Sequence, residues 1–147
     1  MHKLLLAFLL ISLSSCFLFK EYRKREFAYT KDGQSVVIPI TVPKGYTRQE
    51  RIDTVGIQMS TYHYPNGAML YTAFLADTNT VLQPIPDSLH QPLVHKLGGR
   101  IYKGQDSTRL FYREIQMGRL RYGYRFVPWE RAGDFDEATN LSSLQKR

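Results

Sequence analysis

The sequence predicts an α+β fold: an antiparallel sheet of about five to seven strands with a C-terminal helix packed on one face. Three observations predict it. Runs of β-branched and aromatic residues recur between turn signals, as in Ser35-Val36-Val37-Ile38-Pro39-Ile40-Thr41-Val42. Near the end, Leu120, Tyr122, Tyr124 and Phe126 alternate with Arg119, Arg121, Gly123 and Arg125, the period of a half-buried strand. Beyond it, Asp134-Phe135-Asp136-Glu137 has the spacing of a helix capping box. With 147 residues, 43% hydrophobic and 22% charged, the chain has the composition of one globular domain, which excludes disorder, collagen and coiled coil.

In chain order, residues 17–34 read as a tether leading into a turn at Lys31-Asp32-Gly33. The strand over 35–42 follows, and Pro39 places it at an edge or a bulge. Pro43-Lys44-Gly45 turns the chain. The segments Val55–Tyr64 and Ala68–Leu75 flank Pro65-Asn66-Gly67 as a hairpin. Its loop is expected to be a type I turn over Pro65 and Asn66, with Gly67 in the left-handed position. That register puts Tyr62, Tyr64 and Leu70 on one face and Ile57, Met59, Met69 and Tyr71 on the other. Pro92 to Gly98 reads as one short helix.

A second β region runs from Arg100 to Val127, with turns at Gly104-Gln105-Asp106 and Met117-Gly118. A two-residue turn at Met117-Gly118 sets Glu114 opposite Arg121; a three-residue turn sets Arg113 there, an unfavourable like-charge pair. The first is expected. Asp134 as N-cap and Glu137 at the third helical position then start a helix that turns Phe135, Ala138, Leu141 and Leu144 towards the sheet.

The first nineteen residues differ from the rest. Met1-His2-Lys3 is followed by Leu4 to Ile11 and then Ser12-Leu13-Ser14-Ser15-Cys16, a basic start, an apolar run and a small-residue site. The run from Leu4 to Phe19 is sixteen residues, short of the ~20 that span a bilayer as an untilted helix. Leu13-Ser14-Ser15-Cys16 resembles the lipobox of bacterial lipoproteins, in which small residues precede the cysteine that is acylated and becomes the first residue. The resemblance implies a signal peptide at 1–15, a lipid on Cys16, a tether over 16–34 and a single domain over 35–147. It also implies an envelope location. In lipoproteins of this kind an aspartate after the cysteine marks retention at the inner membrane, so with Phe17 there the resemblance implies the outer membrane, with the domain facing the periplasm.

Other readings of this segment stay open. Cys16 also fits a buried position in an apolar N-terminal helix. Lys20, Arg23, Lys24 and Arg25 after the apolar run weaken the orientation signal, which leaves a short uncleaved anchor with a cytoplasmic domain as the competitor. Those cations read either as contacts to anionic headgroups or as a solvated tether. A second resemblance is to PsbP-like α/β/α domains: a strand closed by Val42-Pro43-Lys44-Gly45-Tyr46, a later strand with Tyr122-Gly123-Tyr124, then a final helix. It implies a non-enzymatic assembly role at a membrane.

The whole chain carries a formal charge of +7, and residues 16–147 carry +6, because only Lys3 is lost. An acylated protein meets no nucleic acid, so this charge suits phospholipid headgroups, envelope polymers or simple solubility. With Cys16 modified no thiol remains, and the domain holds together without disulfides.

No catalytic motif stands out: there is no G-x-S-x-G, H-E-x-x-H, P-loop or dinucleotide fingerprint. His63, His90 and His95 lack the spacing of a metal set, and no cofactor is implied. Glu114 or His63 are the residues on which a scattered envelope active site would rest. The alternative is a binding face: Tyr62, Tyr64, Tyr122 and Tyr124, with Arg121 near the rim, suit an envelope protein or glycan partner if they meet at the surface. Ordinary sheet packing accounts for the same tyrosines.

Overall fold

The computed structural model describes residues 22–82, 93–94 and 98–141. The segment 1–15, Cys16, Leu144 and most of the helix expected over 92–98 lie outside the described residues.

The described chain forms β1 (Tyr22–Lys31), β2 (Gln34–Pro43), β3 (Arg48–Asp53), β4 (Ile57–His63) and β5 (Met69–Leu75). There follow β6 (Leu93–Val94), β7 (Arg100–Gln105), β8 (Phe111–Met117), β9 (Leu120–Val127) and α1 (Trp129–Leu141). β1 and β2 pair as a two-stranded sheet, and the other seven strands run β3-β4-β5-β9-β8-β7-β6, antiparallel throughout. The β1–β2 hairpin and α1 share one face of the large sheet. Phe27 and Tyr29 from β1, Ile40 and Val42 from β2, and Phe135 from α1 close the core over Tyr62, Leu70, Tyr122 and Tyr124. The α+β architecture follows from this, with its C-terminal helix on one face of the sheet.

The tether expected over 16–34 gives way from residue 22 onwards. Tyr22 to Lys31 form a ten-residue strand in full register with β2, and Asp32 and Gly33 make the two-residue turn with φ of 51° and 78°. Two positive φ values in succession suit the right-handed twist of a hairpin, and Asp-Gly supplies them readily. Four charged residues among the first five hide the strand from a hydropathy reading, although Phe27 and Tyr29 keep its period of two. Pro39 sits in a strand with a neighbour on one side only, so its missing N–H costs no ladder bond on the open edge.

The β4–β5 register is as expected, with Tyr62 opposite Leu70. The loop differs. Asn66, as well as Gly67, is left-handed, at φ 66° and 80°, and Tyr64 N–H donates to the Ala68 carbonyl at 2.8 Å. Asparagine tolerates this region because its short polar side chain can bond locally. Leu93 and Val94 pair with Ile101 and Arg100 as strand, not helix.

The β8–β9 turn falls on Gly118 and Arg119, so Glu114 faces Gly123 and Gln116 faces Arg121. The expected pairing of Glu114 directly opposite Arg121 is therefore corrected by one step on each strand. Gly118 is the residue that decides it: at φ 56° it takes the first central position, which favours glycine.

α1 starts at Trp129 rather than after Asp134. Pro128 marks the break, holding Val127 extended, and its carbonyl accepts Arg131 N–H at 3.0 Å. Asp134 lies inside the helix and accepts from Arg131 Nε at 3.4 Å. Phe135 and Ala138 are fully buried, as their spacing predicts.

Candidate functional site

The four tyrosines of the expected binding face do not reach the surface. Tyr62, Tyr64, Tyr122 and Tyr124 are all buried on the face that carries the β1–β2 hairpin and α1. Tyr122 Oη donates to the Thr41 carbonyl at 2.5 Å, and Tyr64 Oη to the Pro43 carbonyl at 2.8 Å. Tyr124 Oη donates to Asp136 Oδ1 at 2.8 Å. Three phenols thus tie the hairpin and the helix to the sheet, while the Tyr62 hydroxyl has no partner among the described residues. Burial pushes all four phenols above their ordinary pKa range. Alternation alone could not separate this outcome from an exposed platform, because both place the tyrosines on one face.

Arg121 is on the opposite face, in a different cluster. There Tyr71 on β5, Gly123 on β9 and Glu114 on β8 lie in one row across the sheet. Gly123 offers no side chain, so the Tyr71 phenol passes over β9 and donates to Glu114 Oε2 at 2.5 Å. Gln116 Nε2 donates to Glu114 Oε1 at 2.7 Å. Two residues either side of Gly123 stand the guanidiniums: Arg121 Nε is 3.9 Å from Glu114 Oε1, and Arg125 Nη2 is 3.5 Å from Oε2. Arg121 also donates to the carbonyls of Gly118, Leu120 and Thr78. Arg125 lies over the Tyr112 ring, 5.3 Å from its centroid.

Glu114, Arg121 and Arg125 are each under a tenth exposed. Burying one carboxylate is costly unless it is paired and bonded, and here both oxygens are bonded and flanked by cations. Burial, then the Glu114 charge, pushes the Tyr71 phenol well above its ordinary range. It is a hydrogen-bond donor at neutral pH and not an acid. A pocket of about 260 Å³ opens beside the cluster, lined by Thr78, Asn79, Thr80, Val81, Glu114, Gln116 and Arg121.

Glu114 and His63 are not brought together. His63 Nε2 meets Glu50 Oε2 at 2.8 Å at the β3 edge. Glu114 is three strands further along the sheet, at least roughly 14 Å away at the usual strand spacing. His90 and His95 lie outside the described residues. Among the described residues no three His, Cys, Asp or Glu side chains gather as a metal set, and no helix is long and apolar enough to cross a membrane. Sequence reading missed Tyr71, Gln116 and Arg125 as partners of Glu114. The signal was the Arg121-x-Gly123-x-Arg125 spacing, two cations on one face with a gap between them.

No family model, curated protein or solved structure matches the chain.

Proposed function

We propose that the chain is a lipid-anchored protein of a bacterial envelope, held at the outer membrane by an acylated Cys16 and facing the periplasm. Its folded domain has a binding or scaffolding role and no catalytic one. The observation that carries this reading is the position of the sole cysteine: it ends an apolar run after Leu13-Ser14-Ser15 and stands six residues before the first strand. The folded part needs no thiol. Its layers are joined by buried phenols that donate to backbone carbonyls across the core, which suits an oxidising compartment as well as a reducing one. The resemblance to PsbP-like domains points to the same class of role.

The Glu114 cluster supports a structural role more than an enzymatic one, since its carboxylate oxygens are taken by Tyr71 and Gln116. Intact mass and the N-terminal peptide of the protein extracted from membranes test the proposal. A chain starting at Cys16 with added acyl mass is expected. An unmodified chain retaining Met1 overturns it in favour of a short anchor with the domain in the cytoplasm. Hydrolysis or transfer activity lost in Glu114→Gln or His63→Gln would favour a small envelope enzyme instead.

A further inference from the structure

We infer that the domain lies against the phospholipid surface that holds its own anchor, with Trp129 and Phe126 as the contact. This deepens the lipid-anchor reading and rests on it. Five residues separate Cys16 from Tyr22, and even fully extended that link spans at most about 20 Å. Whichever end of the domain carries Tyr22 must therefore face the bilayer closely.

The strand pairing says which end that is. Tyr22 pairs with Pro43, whose carbonyl accepts from Tyr64 in the β4–β5 loop, and Tyr22 Oη donates to Glu137 on α1 at 2.8 Å. The start of β8, the end of β9 and the start of α1 lie at this same end, because Met69 pairs with Arg125 and Phe111 with Val127. It carries both large exposed aromatics among the described residues, Trp129 at 75% and Phe126 at 38%. The exposed apolar residues elsewhere are aliphatic. Trp129 leans on the half-buried Phe111, with ring centroids 5.8 Å apart, and so presents one side outwards.

Phe126 is turned outwards by its backbone. β9 gains one residue against β8 between the pairs Arg113–Tyr124 and Phe111–Val127. This bulge takes Phe126 to φ 57° and sends the fully buried Val127 into the core in its place. A left-handed phenylalanine is strained, and such strain persists where the surrounding structure over-determines it, typically at functional positions. Exposing an aromatic ring to water adds to that cost. Both costs are offset if the ring enters the headgroup–acyl boundary of a bilayer, where phenylalanine buries its apolar surface beside an interfacial tryptophan. Exposed Arg23, Lys24 and Arg109 at the same end complement anionic headgroups, and the exposed carboxylates there are Glu130 beside Trp129 and Glu137 beside Tyr22.

Trp129 is the chain's sole tryptophan, so its emission reports this contact alone. The protein as purified from membranes is reconstituted into phosphatidylethanolamine–phosphatidylglycerol vesicles, and its intact mass is recorded on the same sample. The expected result is a blue-shifted emission that loses most of its intensity when the lipids carry bromine on their acyl chains and resists aqueous iodide. Phe126→Ser should weaken the bromine quenching while the acyl mass is unchanged. Water-like emission, open to iodide and untouched by bromolipid in a protein whose mass shows the lipid, overturns the contact and leaves the anchor standing. A mass without acyl chains overturns both.

Discussion

Tyr71 Oη donates to Glu114 Oε2 across an intervening strand, at 2.5 Å, and it does so over the empty side of Gly123. That bond links β5 to β8 without any direct strand pairing between them. Glu114 in turn is the anion between two buried arginines. Glu114→Ala removes the carboxylate that both guanidiniums face, for an expected loss of about 3 kcal/mol. Tyr71→Phe removes one bond to a charged acceptor, for about 2 kcal/mol. Urea midpoints at constant slope measure both, and losses under half a kcal/mol in each would show the cluster to be no keystone.

Gly123 is needed for space and not for an unusual φ. A Cβ there meets the Arg113 carbonyl oxygen and, at 2.9 Å, the Glu114 Cα, both backbone atoms that cannot step aside. Gly123→Ala is expected to cost about 3 kcal/mol or more and to leave little soluble protein. Gly33 has open space around it but φ of 78°, so Gly33→Ala should cost only about 1 kcal/mol. A soluble, cooperative Gly123→Ala variant would contradict the packing of β9 on β8.

The bulge in β9 makes different predictions for neighbouring residues. Val127 is fully buried, so Val127→Ala should destabilise by about 2 kcal/mol. Phe126→Gly relieves the left-handed backbone, which offsets the partial burial lost with the ring, and should change stability by less than about 1 kcal/mol. Uninterrupted alternation predicts the reverse ranking, with Phe126 in the core. Thermal midpoints of the two variants decide between them.

Alkaline pH should unfold the domain cooperatively. Burial raises the folded-state pKa of Tyr64, Tyr71, Tyr122 and Tyr124 above the ordinary value of about 10. The folded state therefore keeps protons that the unfolded state releases. This contribution to stability is whole below pH about 10 and is lost as pH rises above it. Tyr46 runs the other way, since its bond from the Arg25 guanidinium lowers its pKa, and it is expected to ionise first. After that first rise from the folded state, the phenolate absorbance of the buried tyrosines should appear in step with loss of far-ultraviolet circular dichroism. A smooth rise with the dichroism intact would overturn the assignment.

The sequence by itself determined the fold class, the Tyr62–Leu70 register and the buried side of α1. Each is a local periodicity, and a period survives into the tertiary structure whatever packs against it. It also supplied the apolar N-terminal run and the lone Cys16, which are properties of composition and spacing. What it could not decide was anything fixed by an inserted residue or by a neighbour distant in the chain. One extra residue in β9 exchanged Phe126 for Val127 in the core, and one step in the Gly118 turn moved Glu114 from Arg121 to Gly123. β1 looked like a charged tether because its strand identity comes from β2 beside it, and α1 began at Trp129, just after Pro128, rather than at the better capping sequence. The tyrosines of β4 and β9 had the right face and the wrong surroundings: only the tertiary structure lays the β1–β2 hairpin over them, because covering that area removes far more apolar surface from water than a solvated tether would.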